Sequence, residues 1–299
     1  MAVIGSGQSH GACSLLHAAG TGYGSSISLD LPVAVRLLDK PSKRNLEDPD
    51  GLLKSVVKIW LENGYQLPNG INENNIYWAV GSKIPPKQGL KSSAAVSVAA
   101  IRALCDATQT EMEDHRIVEL SAQSQFDAGV SITGSIDDAW ACVSKGWKLI
   151  DINSQSIEQG VILEGPGPAS DDWFVVIISR KKRTSYPALE DFQPFVNDFQ
   201  QALSAIQDGD FLNAITWNGR AMSGVLNDSE GRRMANDAFV NGARAAGISG
   251  SGPAIVVVIP KITPQTLNRI KKVYSIRSDD FDIIETRFIN SEGEDIDSD

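Results

Sequence analysis

The stretch that most constrains this chain is residues 84–104, Ile-Pro-Pro-Lys-Gln-Gly-Leu-Lys-Ser-Ser-Ala-Ala-Val-Ser-Val-Ala-Ala-Ile-Arg-Ala-Leu. Pro85 and Pro86 donate no backbone hydrogen bonds and hold Ile84 and Pro85 extended, so no helix begins before Lys87. Gly89 permits a tight turn, Ser92 or Ser93 is expected to cap a helix, and Ala94, Ala95, Ala99, Ala100 and Ala103 sustain it to about Asp106. A helix that starts this way presents unpaired N–H groups and about half a positive charge, which is a receptor for phosphate. Lys87 and Lys91 add mobile positive charge beside it, and a serine hydroxyl there can ligate Mg2+. An ordinary helix with serine caps satisfies the same residues. No Gly-x-x-x-x-Gly-Lys-Ser/Thr run occurs in the chain, so a nucleotide site built on this loop is not a P-loop.

The first thirty residues are dense in Gly, Ala and Ser. Short strands near residues 14–19 and 26–31, joined by a Gly22/Gly24 turn, predict a hairpin; glycine is expected in a sheet where backbone or ligand comes close. His10 and His17 are read as structural. Residues 36–50 form a charged loop, and Leu52, Leu53, Val56, Val57, Ile59 and Trp60 have the spacing of a helix that ends at Gly64. A strand at residues 76–80 leads into the central loop. Thr110-Glu111-Met112-Glu113 is a capping box that predicts a helix through Gln125.

Next come Gly134-Ser135-Ile136-Asp137-Asp138-Ala139, two adjacent carboxylates after a Gly-Ser turn. Adjacent side chains diverge, so one at most is expected to enter a shared pocket. Both residues capping the following helix is the alternative. Beyond strands near residues 147–152 and 160–164, the Gly-, Pro- and Asp-rich residues 164–172 read as a linker and a domain boundary. The apolar strand at residues 173–179 delivers Arg180-Lys181-Lys182-Arg183-Thr184-Ser185, either a solvated loop or an anion contact across a cleft. Helices are expected near residues 195–207, 211–226 and 232–246, the last ending at Gly247. A Ser249-Gly250-Ser251-Gly252 turn, a β-branched strand, a helix opened by Thr263-Pro264 and a strand at residues 281–289 complete the chain. Helices alternating with strands here fit a ferredoxin-like sandwich.

The 299 residues are 42% hydrophobic and 21% charged, the balance of a soluble globular protein. A net charge of −10 argues against nucleic acid or an anionic membrane as partner, and it leaves an anionic substrate to be met by local positive charge. Five acidic residues fall in the last nine, the composition of a solvated tail. Cys13, Cys105 and Cys142 are too scattered for a metal site and fit a reducing compartment. The first basic residue is Arg36 and no apolar run approaches a membrane span, so a cytoplasmic protein is expected.

Three segments resemble the motifs of the GHMP kinases, which phosphorylate galactose, homoserine, mevalonate and related small alcohols. Pro85, Gly89, Leu90, Ser92, Ser93 and Ala94 occupy the pattern Pro-x-x-x-Gly-Leu-x-Ser-Ser-Ala, with Lys87 and Lys91 where many members have glycine. Asp137 falls on the aspartate of Gly-x-Asp-Asn-Ala, and Ser249-Gly250-Ser251-Gly252-Pro253-Ala254 resembles the third, Gly-rich motif. Gly89-Leu90-Lys91-Ser92-Ser93, together with Thr21-Gly22-Tyr23-Gly24 and Ser28-Leu29-Asp30-Leu31, resembles the archaeal-type shikimate kinases. Homoserine kinases typically lack the aspartate.

The resemblance implies an α+β, two-domain GHMP kinase fold: a ribosomal-protein-S5-type domain over residues 1–165, a ferredoxin-like domain over 166–290 and an acidic tail over 291–299. It implies ATP on Pro85, Pro86, Lys87, Gln88, Gly89, Leu90, Lys91, Ser92, Ser93, Ala94 and Ala95, and Mg2+ on Ser93 and on Asp127, one residue off the usual spacing. Asp137 would take the attacking hydroxyl, with substrate contacts from Thr21, Gly22, Asp30, Gly250, Ser251 and Gly252. The expected reaction is phosphorylation of shikimate by ATP. A mevalonate or homoserine kinase, and a non-catalytic nucleotide-binding regulator, are the alternatives; a monomer and a homodimer both remain open.

Overall fold

The computed structural model of the chain describes residues 2–42, 48–131, 133–180, 187–277 and 281–291, the side chains of 276 and 277 excepted. Lys181, Lys182, Arg183, Thr184 and Ser185 of the basic run, and residues 292–299 of the acidic tail, lie outside the described residues.

Strands β1 (Val3–Leu16) and β2 (Tyr23–Leu38) pair antiparallel across a short 3-10 turn, Ala18–Gly20. They are much longer than the two short strands the sequence suggests. Val33, Val35 and Leu37 are buried while Arg36 is exposed, so the period-two pattern runs on through the charged residue assigned to a loop. Then follow α1 (Leu52–Glu62), β3 (Tyr77–Ser82), α2 (Ser92–Thr108), α3 (Asp114–Asp127), α4 (Ile136–Val143), β4 (Trp147–Asp151) and β5 (Val161–Gly165). The sheet order is β1-β2-β4-β5, with β3 also paired to β2. The small residues of β1 seat α2 against the sheet: a Cβ on Gly5 or Gly7 would lie 2.3 or 2.1 Å from the carbonyl oxygens of Ala103 and Ala99. What comes close to those glycines is helix backbone.

Helix α3 starts at Asp114 with Glu113 as its N-cap, three residues later than a Thr110 cap would start it, and the Thr110 hydroxyl instead shares a hydrogen bond with Thr108 Oγ (2.8 Å). Helix α2 has no serine cap. Lys91 is its N-cap, in left-handed backbone at φ +66°, and Ser92 and Ser93 are its first two residues.

The second sheet is built from β6 (Trp173–Ser179), three helices, α5 (Val196–Gln207), α6 (Phe211–Val225) and α7 (Ser229–Val240), then β7 (Ala245–Ile248), β8 (Ile255–Pro260), α8 (Pro264–Arg277) and β9 (Asp282–Thr286). Its order, β7-β8-β6-β9 with every pair antiparallel, is the βαββαβ order of a ferredoxin-like sandwich. The expected helix over residues 232–246 is corrected at its end. Gly242 at φ +101° stops the helix, and Ala245–Ile248 form a buried strand paired with β8 beneath Gly219 of α6. Tertiary pairing overrides the helix propensity of Ala243-Arg244-Ala245-Ala246.

Residues 166–172 run between the two sheets, and one apolar core spans both. The chain end returns to the first sheet: Asp30 N–H donates to Arg287 O (2.9 Å) and Ile289 N–H to Ser28 O (3.1 Å). Helix α6 also packs on β1. The central loop sits where the two halves meet.

Candidate active site

Residues 85–91 are held from both sides by hydrogen bonds that only the tertiary fold supplies. Ala12 N–H of β1 donates to Leu90 O (3.4 Å), and Ala254 N–H donates to Gln88 O (3.1 Å). The Gln88 side chain pairs with the backbone of Arg180, donating to its carbonyl (2.6 Å) and accepting from its N–H (3.1 Å). Ser249 Oγ donates to Gly89 O (2.9 Å) and accepts from Ser14 N–H (3.1 Å). A Cβ on Gly89, which has φ +81°, would stand 2.1 Å from Ser249 O. Both the conformation and the fit therefore require glycine. The Gly-rich turn at 249–252 and the loop at 85–91 are thus one structure, closed on β1.

Against that structure lies a narrow cleft with about 70 Å3 open to water, lined by His17, Lys87, Gly89, Lys91, Ser92, Ser93, Ser131, Thr133, Ser135, Asp137, Asp138, Gly250 and Ser251 among others. Two helices begin on it. Neither Lys91 at the start of α2 nor Ser135 at the start of α4 caps its helix with a side-chain bond, and the partial positive charge at both ends favours an anion.

Lys91 is not the mobile surface charge that the sequence suggests. Its side chain is 6% exposed, and Nζ lies 2.6 Å from Asp138 Oδ1 and donates to Ser14 Oγ at 2.7 Å. Ser14 Oγ also accepts the Gly250 N–H (3.1 Å), and Asp138 accepts from Ser26 Oγ (3.1 Å). Burial opposes the Lys91 charge, but the Asp138 and Asp137 carboxylates outweigh it and hold its pKa above the ordinary lysine value.

Asp137 is buried in the first turn of α4, packed so close to β2 that a Cβ on Gly24 would meet its carboxyl carbon at 2.6 Å. Burial first, and the Asp138 charge second, push its pKa up to about 8, against the pull of Lys91. Contrary to the expectation that one of the pair at most would enter a pocket, both carboxylates line the cleft. Asp138 is committed to Lys91 while Asp137 is a basic carboxylate next to it. Once ionised, at mildly alkaline pH, such a group can take a proton from a hydroxyl.

Of the other residues singled out in the sequence, Lys87, Gly89, Lys91, Ser92, Ser93, Gly250 and Ser251 come together at the cleft. Gln88, Leu90, Ala94 and Ala95 are buried behind it, Pro85 is partly exposed and Pro86 exposed. Asp127 is not brought there. Its carboxylate, at the end of α3, is engaged by Lys58 and by Ser55 Oγ (2.7 Å) on α1. Asp30 pairs with Arg287 at 3.0 Å, and the Thr21 hydroxyl turns back on the carbonyl of Tyr23 (3.2 Å) next to Gly22. Gly252 donates its N–H to Ser249 O (2.8 Å) and shapes the turn.

Arg180, the described member of the basic run, is buried in a bidentate pair with Asp228 and donates to Pro253 O (2.8 Å). It ties elements together. Sequence reasoning misses Ser14, Gly24 and the role of Asp138, and it reads His17 as structural although its ring lines the cleft with Nε2 3.3 Å from Ser251 Oγ. Small residues on β1 and β2 gave the signal, but only pairing reveals which of them face α4.

The donors at the cleft are hydroxyls, backbone N–H groups and the ammonium groups of Lys87 and Lys91. That set suits a phosphate chain, and the Ser93 hydroxyl suits a hard cation that keeps its other sites for phosphate and water. Among the described residues no group of three or more His, Cys, Asp or Glu is arranged to hold a metal by itself. No helix among them is long and apolar enough to cross a membrane.

Residues 52–146 match the family model described as the GHMP kinases N terminal domain. Over 262 residues the chain is 28% identical to a shikimate kinase of Methanothermobacter thermautotrophicus, covering 84% of this chain and 86% of the relative. Over 267 residues it is 27% identical to a shikimate kinase of Pyrococcus abyssi, covering 85% and 91%. Among solved structures, the mevalonate kinase of Methanococcus jannaschii superposes with a TM-score of 0.71 at 16% identity, covering 95% of this chain and 98% of that one. A putative homoserine kinase from Listeria monocytogenes superposes with a TM-score of 0.64 at 17% identity, covering 96% and 97%. At those identities the structures establish the fold.

Proposed function

Since the chain belongs to the GHMP kinases, ATP-dependent kinases of small molecules, we propose that it transfers the γ-phosphoryl group of ATP to the 3-hydroxyl of shikimate, giving 3-phosphoshikimate and ADP. The choice of substrate rests on the similarity to archaeal shikimate kinases over most of the chain. The chemistry rests on one observation, a buried carboxylate of raised pKa, Asp137, beside an anion-receiving cleft.

In this reading the start of α2, with Gly89, Ser92 and Ser93, receives the phosphate chain, and Lys87 at the exposed edge adds charge. Ser93 would hold Mg2+, which would supply neutralisation of the phosphate charge. Asp137 accepts the hydroxyl proton as the oxygen attacks phosphorus, and its raised basicity suits that task. His17, Gly250 and Ser251 are the substrate side of the cleft. The division of the chain into residues 1–165 and 166–290 belongs to the same reading, with the reaction at their junction. So does a cytoplasmic monomer or homodimer that acts on small molecules, with neither nucleic acid nor membrane as partner, in keeping with a net charge of −10.

The test is ADP release with Mg2+-ATP and shikimate, run beside mevalonate and homoserine. Turnover that needs shikimate supports the proposal. Turnover with mevalonate or homoserine alone removes the substrate and leaves the kinase.

A further inference from the structure

Resting on the kinase reading above, we propose that Lys91 is a catalytic residue, the fixed cation that contacts the transferring phosphoryl group. Its backbone is the first observation. At φ +66° it occupies the left-handed region that a residue with a Cβ disfavours and glycine accepts readily. A lysine at such a position points to a use for its side chain.

The side chain is the second. It is 6% exposed, and two of the ammonium's three donors are accounted for, by Ser14 Oγ at 2.7 Å and Asp138 Oδ1 at 2.6 Å. The group lines the cleft with Ser92, Ser93 and Asp137, leaving one donor for a ligand there. Stability alone does not explain the arrangement, since a buried ion pair rarely outperforms apolar packing of the same volume.

Elimination is the third. Among the described residues the other long cations near the loop are placed differently. Lys87 shares the left-handed backbone, at φ +58°, but its side chain is about half exposed and lies 3.5 Å from Asp50, and Arg180 is committed to Asp228. Lys91 is held instead by strand, helix and turn at once, because Ser14 also takes the Gly250 N–H. A cation fixed in a buried site needs no reorganisation when charge develops beside it.

In the transfer, the bond from the γ-phosphorus to the bridging oxygen of ADP breaks as a bond to the substrate hydroxyl oxygen forms. The hydroxyl proton passes to Asp137. Negative charge builds on the oxygens of the phosphoryl group, and the free Lys91 N–H meets it.

Lys91→Gly is the informative variant, because glycine accepts the backbone angle. The expected result is a fall in kcat of about 10²-fold or more, with KM for ATP changed by less than about threefold. Ethylammonium ion should restore at least about tenfold of the lost rate, while ethanol, similar in size but neutral, should restore none. A kcat within about fivefold of the parent, or equal rescue by ethanol, would overturn the proposal. If Lys91→Gly gives no cooperative unfolding transition, Lys91→Met combined with Asp138→Asn replaces it, which leaves no orphaned charge. That protein should be about 10²-fold slower than Asp138→Asn alone, and equality of the two would count against Lys91. The parent is assayed first with all three alcohols, and the comparison uses whichever one it phosphorylates. A wrong substrate then shows in the parent, a wrong role for Lys91 shows in the variants, and a parent inactive with all three removes both readings.

Discussion

Asp137 carries opposing demands on stability and activity. Its carboxyl titrates at about 8 in the folded protein against 3.8 for the unperturbed group. Between those values the folded state keeps a proton that the unfolded chain has released, so this residue makes stability fall as pH rises through that window. Asp137→Asn is therefore expected to be more stable than the parent at pH 8, by on the order of a few kcal/mol, and of nearly equal stability at pH 4. Thermal unfolding at the two pH values checks this, and a variant less stable at pH 8 would contradict it. The proton-accepting form is the ionised one. Accordingly kcat/KM for the alcohol should climb through about pH 8, since that ratio reports the free enzyme.

At the scale of elements, the loop at 85–91 and the start of α2 were legible because their signals are local. Two prolines, a glycine and an alanine-rich run each restrict their own neighbours. The Ser249-Gly250-Ser251-Gly252 turn was legible for the same reason. What lay hidden depends on contacts between residues far apart in the chain: the inward turn of Lys91 to Ser14 and Asp138, the close approach of Asp137 to Gly24, and the diversion of Asp127 to Lys58. The overrun of the expected helix into Ala245 and Ala246 has that cause too, since only the partner β8 makes them strand.

The joining of the two loops makes its own prediction. Gly89→Ala puts a Cβ 2.1 Å from Ser249 O at φ +81°, whereas Gly70→Ala, at φ +83°, meets nothing within 4 Å. Gly70→Ala should cost about 1–2 kcal/mol of backbone strain and leave activity intact. Gly89→Ala should cost more and raise KM for ATP by about tenfold or more, because the loop must move off the turn. Denaturant melts and ATP titrations of the two variants decide it, and equal behaviour would mean that the loop and the turn are not one unit.

For the whole molecule, the two sheets are joined by the return of residues 287–289 to β2 and by Arg180, which links β6, the 85–91 loop and the start of α7. Removing one partner of that buried pair leaves the other without compensation, so Arg180→Met should destabilise the protein by about 3 kcal/mol. Arg180→Met combined with Asp228→Asn should recover part of the loss. Burial is the largest influence on Asp228 and opposes its charge, but the hydrogen bonds from Arg180 and from the Gly231 N–H, together with the Arg180 charge, outweigh it and hold its pKa below the ordinary value. Its contribution is thus present above pH 3.8 and lost as pH falls further, which acid unfolding of the double variant can show.

The central claim is that this assembled cleft phosphorylates shikimate through Asp137. Its most direct test is steady-state ADP production with Mg2+-ATP and shikimate by the parent and by Asp137→Asn. The expected result is shikimate-dependent turnover in the parent and a rate lower by about 10²-fold or more in the folded variant. Equal rates in the two proteins, or a parent that releases no ADP when shikimate is added, would contradict it.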